Sequence, residues 1–195
     1  MVVNIEIHPV ALKEWAVTVK ALQEGSLMLV MRKGGIIEET RDFQLVSPGF
    51  YLMPAYEHQK EHLLKHSYQG QIRGTMEHWS PDMEKMKLES YAEAVEDIEI
   101  TDQETLDRLR EFHIWTDTFA EERLKWKRMQ PLHLLLLRVY RLEDAIEIPM
   151  RSAYAGCKSW VQLEDGIPTT AMKPVIAEQQ FQEQVLQIKR AVAGN

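Results

Sequence analysis

Apolar residues recur along this chain in short blocks, and the spacing within each block predicts an element. In residues 11–22, Leu12, Trp15, Ala16, Val19 and Leu22 fall three or four positions apart, as one apolar face of a helix does. The fragment Trp15-Ala16-Val17-Thr18-Val19 is also strand-like in composition, so an extended start leading into a short helix is the alternative. Gly25 closes either version. Residues 27–31 predict a buried strand turned by Lys33-Gly34-Gly35; 43–45 predict an extended piece, and 50–53 a second short strand stopped by Pro54. Residues 56–66 predict a helix with Glu57 and Glu61 near the positive end of its dipole. Val95, Ile98 and Ile100 suggest a strand across the second half of 88–100. Thr101 and Glu104 have the spacing of a capping box, opening a helix to about His113. A further helix is expected over 116–128, stopped by Pro131. Residues 132–140 are apolar without helical period and predict a central strand. Residues 146–148 and 160–163 alternate as half-buried strands do, and 177–192 carry Phe181, Val185, Ile188 and Val192 on one helical face.

Strands and helices are interspersed without regular alternation. The expectation is therefore a single α+β domain over 1–195: a mixed sheet, open or barrel-like, with packed helices and a mobile or acidic excursion around 71–94. A short helix ending at Gly25, then a strand ending at Arg32, loosely resembles the start of the PUA-like RNA-binding barrels. Composition changes this picture in two ways. No stretch is long and apolar enough to span a membrane, and one cysteine, Cys157, excludes an internal disulfide and suits a reducing cytoplasm. The net charge of -7 argues against a protein that coats nucleic acid indiscriminately, but it is unevenly spread. Residues 76–122 hold four Lys+Arg against fifteen Asp+Glu, whereas 123–195 hold eleven against seven.

Several short motifs carry candidate chemistry. Arg32-Lys33-Gly34-Gly35 ends a strand with two cations and a flexible turn, which suits an anion such as phosphate, or simply a solvated hairpin turn. Tyr56-Glu57-His58-Gln59 gathers proton carriers and hydrogen-bonding groups; Glu57 and His58 are the catalytic candidates, although neighbours on a helix point about 100° apart. His58-Gln59-Lys60-Glu61-His62 matches an inverted zinc-protease pattern, but no third ligand accompanies it and no metal or cofactor is expected. Arg123, Lys125, Lys127 and Arg128 form the densest basic stretch, with Arg123 and Lys127 on one side of a helix. Cys157 with His113 or His133 could form a nucleophile pair; a small buried hydrophobe is the plainer reading. Trp115, Trp126 and Trp160 read as core, unless an exposed ring stacks on a base.

The runs Ala11-Leu12-Lys13-Glu14-Trp15-Ala16, Arg32-Lys33-Gly34-Gly35-Ile36 with Glu38, and Pro54-Ala55-Tyr56-Glu57-His58-Gln59 resemble the domain-of-unknown-function family 1802. So do His113-Ile114-Trp115-Thr116, Leu137-Arg138-Val139-Tyr140 and Gly156-Cys157-Lys158-Ser159-Trp160; Ala55 departs from the Thr expected there. The resemblance covers nearly the whole chain. It implies no established activity, but some members accompany an Mrr-type nuclease domain, which implies a restriction–modification link. No D…(D/E)xK nuclease pattern falls on the predicted strands.

Two functions therefore stand side by side. One is a nucleic-acid-associated accessory module using Arg32, Lys33, Gly34, Gly35, Gln59, Arg123 and Lys127. The other is a small enzyme on an anionic, phosphate-containing substrate, with Glu57 and His58 moving protons and Glu38 and Tyr56 completing the pocket. The expected partners are nucleic acid or an anionic small molecule, with a second copy of the chain left open.

Overall fold

The apolar run near the N-terminus divides at Trp15. Val10–Trp15 is strand β1 and Ala16–Gln23 is helix α1, so the extended-start alternative holds rather than one continuous helix. Helix α1 has no side-chain cap of its own; the Val17 N–H, free at a helix start, donates to Gln59 Oε1 at 2.9 Å. Gly25 then turns the chain at φ 74, where a Cβ would lie 2.6 Å from the Ile176 side chain. The computed structural model describes residues 8–33, 43–77, 79–126, 130–156, 158–164, 166–168 and 170–195.

Seven strands form one mixed sheet among these residues: β1, β2 (Leu29–Arg32), β3 (Gly49–Ala55), β4 (Lys85–Ile100), β5 (Leu132–Pro149), β6 (Trp160–Gln162) and β7 (Met172–Pro174). The order is β2-β5-β4-β3-β1-β6, with β7 beside the outer half of β5. Only β1 and β3 run parallel, with Trp15 opposite Ala55. The path is open, with β2 and β6 at its ends, so the sheet is not a closed barrel. Register shifts at Leu88/Ser90 and Ala94/Glu96 interrupt the long β4–β5 ladder, as bulges that bend a strand do.

Alternation along the strands divides the core between two faces. Leu12, Phe50 and Leu52 join Leu134, Leu136 and Ile188 on one side; Ala11, Tyr51 and Met53 join Tyr91, Ile146 and Ile148 on the other. The helices α2 (Gln71–Thr75), α3 (Gln103–Arg108), α4 (Asp117–Lys125) and α5 (Glu178–Ala193) complete a single α+β domain. No helix among the described residues is long and apolar enough to cross a membrane.

Several local expectations change. Residues 56–66 do not form a helix: His58 has φ 65, and only Glu61–Leu63 and the following His66–Tyr68 make 3-10 turns. The two histidines of the zinc-like pattern thus never share a helical face. Pro54 lies inside β3 rather than ending it. Residues 43–45 belong to no strand. Asp102, not Thr101, caps α3, its carboxylate accepting from the Thr105 N–H at 2.8 Å. Helix α3 ends at Arg108 and a 3-10 turn over Arg110–Phe112 carries the helical chain on to the residue before His113, while α4 ends at Lys125. Within 71–94 lie α2 and the first ten residues of β4, where exposed Glu89 and half-buried Glu93 flank buried Ser90, Tyr91 and Ala92 beside the register shift at Leu88/Ser90.

Candidate functional site

Parallel pairing of β1 with β3 brings their C-terminal ends side by side, and parallel sheets leave room for ligands at that end. There a cleft of about 350 Å³ opens. Strand β1 contributes Lys13, Glu14 and Trp15; the end of β2 contributes Arg32 and Lys33; and the turn after β3 contributes Glu57 and His58 at the lip. Trp115, Phe119, Arg123 and Trp126 form one wall, and Lys158 and Ser159 another.

The Trp115 wall is held by a long-range bridge. Leu64 pairs with Trp115, the Lys65 N–H donates to the Ile114 carbonyl at 2.9 Å, and the Thr116 N–H donates to the Leu63 carbonyl at 2.9 Å. The Lys65 ammonium donates to the carbonyls of Arg110 and, at 2.8 Å, His113. Next in sequence, the Thr116 hydroxyl caps α4 by accepting from the Phe119 N–H at 3.2 Å. The motif His113-Ile114-Trp115-Thr116 is thus a tether: Ile114 and Trp115 are both buried in the core, Trp115 with an edge lining the cleft at 7% exposure, and Thr116 starts the helix that carries Phe119 and Arg123. The His113 imidazole is buried with Nδ1 unpartnered, and burial, then the nearby Lys65 charge, pushes its pKa down to about 4.

The rings pack closely. Trp15 meets Trp115 edge-on at 5.0 Å between centroids and lies nearly parallel to Phe119 at 6.5 Å. The Arg123 guanidinium sits 5.9 Å from the Phe119 centroid and 5.6 Å from that of Trp126.

Below the rings lies a buried ion pair. Arg32 donates to Glu14 at 2.9 Å, with only 14% and 7% of the two side chains exposed. The other Arg32 amino group donates to the Ser159 hydroxyl, while its Nε is buried without a partner. The second Glu14 oxygen accepts from the Trp15 N–H at 2.8 Å. Lys33 is buried and donates to the Leu124 carbonyl near the end of α4. Its pKa is lowered, first by burial and then by the Arg123 charge. Five cations and two carboxylates line the cleft, and Arg32 already pairs one of those carboxylates. The cleft is therefore a cationic spot on a chain of net charge -7.

Of the residues singled out from sequence, Arg32, Lys33, Glu57, His58, Trp115, Arg123 and Trp126 share this cleft. Glu57 and His58 are exposed, and neither hydrogen-bonds to the other or to another described residue. Gln59 lies behind the lip: besides capping α1, its amide donates to the Tyr56 carbonyl at 3.2 Å. Tyr56 faces a second cleft on the other side of this turn. Gly34, Gly35, Glu38, Lys127, Arg128 and Cys157 lie outside the described residues. His133 is paired with Asp97 at 2.9 Å. No cluster of three or more His, Cys, Asp or Glu suited to a metal occurs among the described residues. Sequence reasoning missed Lys13, the pairing role of Glu14, the meeting of Trp15 and Phe119 with Trp115, and Lys158 with Ser159. The alternation of Lys13 and Trp15 in a strand was the available signal.

No curated protein matches the chain in sequence. Among solved structures, crystal structures of ASCH from Zymomonas mobilis and of a serine-to-alanine mutant of it are similar at 11% identity, with TM-scores of 0.41 and 0.39. The match covers 91% of this chain and 93% and 94% of theirs, and overlap at that level carries no argument about function. A family model described as a domain of unknown function, DUF1802, matches residues 11–187, and the chain belongs to that family.

Proposed function

We propose that this protein binds nucleic acid by taking an unpaired nucleotide into the cleft. The base lies against the Trp15, Trp115 and Phe119 wall, and its phosphate meets Lys33, Arg123 and Lys158. The observation that carries this reading is the meeting, in one concave site, of several aromatic faces with a surplus of cations. A site for a bare anion needs no aromatic wall, and a site for an apolar ligand needs no such charge. Together they suit a ligand with a π-face and a phosphate; stacking on protein rings contributes about 1–3 kcal/mol per base. At about 350 Å³ the cleft suits a nucleotide rather than a duplex, so a paired base must leave its stack to enter. The restriction–modification link implied by the family resemblance favours DNA.

The test is titration of tryptophan fluorescence, with electrophoretic shifts, using short single-stranded and duplex DNA and RNA at low and moderate salt. Tighter binding of single strands, weakening with salt, is expected. No binding at low salt overturns the reading, and the DNA and RNA arms decide the sugar.

One observation favours a second reading. His58 holds a left-handed backbone that non-glycine residues rarely adopt, and such strain gathers at functional sites. In that reading the cleft is the site of a small enzyme on a phosphate-containing substrate, with His58 transferring a proton. Product formation by the wild type, lost in His58→Gln with binding retained, would establish it. Absence of product from any phosphorylated substrate that binds removes it.

A further inference from the structure

The larger cleft, about 640 Å³, shares a wall with the first. Trp15 lines one and Ala16 the other; Ala55 lines one and Tyr56 the other. Successive Cα atoms are about 3.8 Å apart, so the ridge between the clefts is only about one residue thick. Gln59 pins that ridge through its bonds to Val17 and Tyr56. On the far side Tyr56 offers a ring backed by Trp79, stacked at 6.0 Å and 28°. Facing it, Lys85 and Lys87 project from β4 and share one carboxylate, Glu147, at 3.2 and 3.9 Å. Three cations, Lys20, Lys85 and Lys87, and two carboxylates, Glu147 and Glu89, line this cleft, which leaves a smaller surplus of positive charge than in the first, beside an aromatic face. This is the chemistry of the first cleft, repeated one residue away.

We infer that the second cleft takes the adjoining nucleotide of the same strand, its base on Tyr56 and its phosphate on Lys85 and Lys87. The protein then grips at least a dinucleotide across the ridge of residues 55–58. This rests on the nucleotide-binding reading of the first cleft. A double-stranded ligand cannot satisfy both clefts, because two consecutive bases must be unstacked to straddle the ridge.

The test compares a 5′-phosphorylated mononucleotide with single-stranded oligonucleotides of four and eight residues, on the wild type, on Lys85→Ala/Lys87→Ala and on Tyr56→Leu. The two lysines are 66% and 64% exposed, so their truncation leaves the fold intact. The wild type should bind the oligonucleotides at least tenfold more tightly than the mononucleotide. The lysine variant should lose most of that gain, keep its mononucleotide affinity, and lower the salt slope by about 0.7 for the one phosphate it no longer neutralises. Tyr56→Leu should lose part of the gain with the slope unchanged. Equal affinity for mononucleotide and oligonucleotide, or a lysine variant that behaves as wild type, overturns the two-cleft footprint while leaving the first cleft standing. A wild type that binds none of these ligands overturns both.

Discussion

The two clefts flanking residues 55–58 contain the same ingredients, an aromatic face, cations and a carboxylate, and hold them in different ways. In the first, Glu14 and Arg32 are 7% and 14% exposed and are fixed by further bonds to Trp15 and Ser159. Their geometry is settled when the chain folds, so a ligand need not order them. In the second, Glu147 is 47% exposed and its two lysine partners more so. Exposed pairs of this kind are screened by salt and contribute little to stability. The difference teaches that a carboxylate beside a cation can play opposite parts. In the proposed reading, a buried one fixes its cation as part of the framework of the cleft, whereas an exposed one competes with the ligand for it.

The largest effect that sharpens this contrast is on stability in acid. His113 belongs to the tether that sets Trp115 in the first cleft, and no histidine lines the second. Its pKa of about 4 in the folded chain lies below the ordinary 6.5. Between those values the unfolded chain binds more protons, so stability present above pH 6.5 is lost as pH falls toward 4. The loss attributable to this residue is about 3 kcal/mol. Urea unfolding of wild type and His113→Gln at pH 7 and pH 4.5 measures it; equal acid losses in the two proteins refute the assignment.

Glu14→Ala comes next. It leaves Arg32 without its counter-ion in a largely buried place, which should cost about 2 kcal/mol in denaturant unfolding. Mononucleotide affinity should fall with it, because Arg32 and Trp15 both lose the group that positions them. Unchanged or tighter mononucleotide binding would show that Glu14 does not organise the cleft. Smaller again is Phe119→Leu, which keeps the apolar bulk of a half-buried ring and removes its π-face. About a tenfold loss of mononucleotide affinity is expected, from stacking alone. A null result there would favour a bare anion as the ligand.

Much of the fold was legible because local pattern and tertiary packing agreed. The β5 run at 132–140 is apolar without helical period, and α5 buries Phe181 and Ile188 as its spacing requires. The turn after β3 was illegible for a physical reason. Its composition favours helix, yet Gln59 is engaged in capping α1 from 42 residues away, and the chain passes through a left-handed His58 instead. Charge was the legible part of the site: Arg32, Lys33 and Arg123 stand out in any reading and do converge. The aromatic wall stood out only in part: Trp115 and Trp126 were candidate stacking rings, whereas Trp15 and Phe119 are as apolar as core residues. Their meeting depends on the Leu64–Trp115 bridge, a pairing across 51 positions that no local pattern encodes. Gly34, Gly35 and Glu38 remain expectations from sequence.

The smallest effect is the sharpest test of the comparison, because it asks for a sign. Glu147→Gln removes an exposed carboxylate that Lys85 and Lys87 share. Stability should change by less than about 0.5 kcal/mol, as for most exposed pairs. The two ammonium groups are then free to meet phosphate, so oligonucleotide affinity should rise about two- to fivefold at low salt, and the gain should shrink as salt screens it. Mononucleotide affinity should stay constant, since the change lies beyond the ridge. Removing a carboxylate would thus weaken binding in one cleft and strengthen it in the other. If Glu147→Gln instead weakens oligonucleotide binding, the exposed carboxylate orders its lysines as Glu14 orders Arg32, and the two clefts work by one principle rather than two.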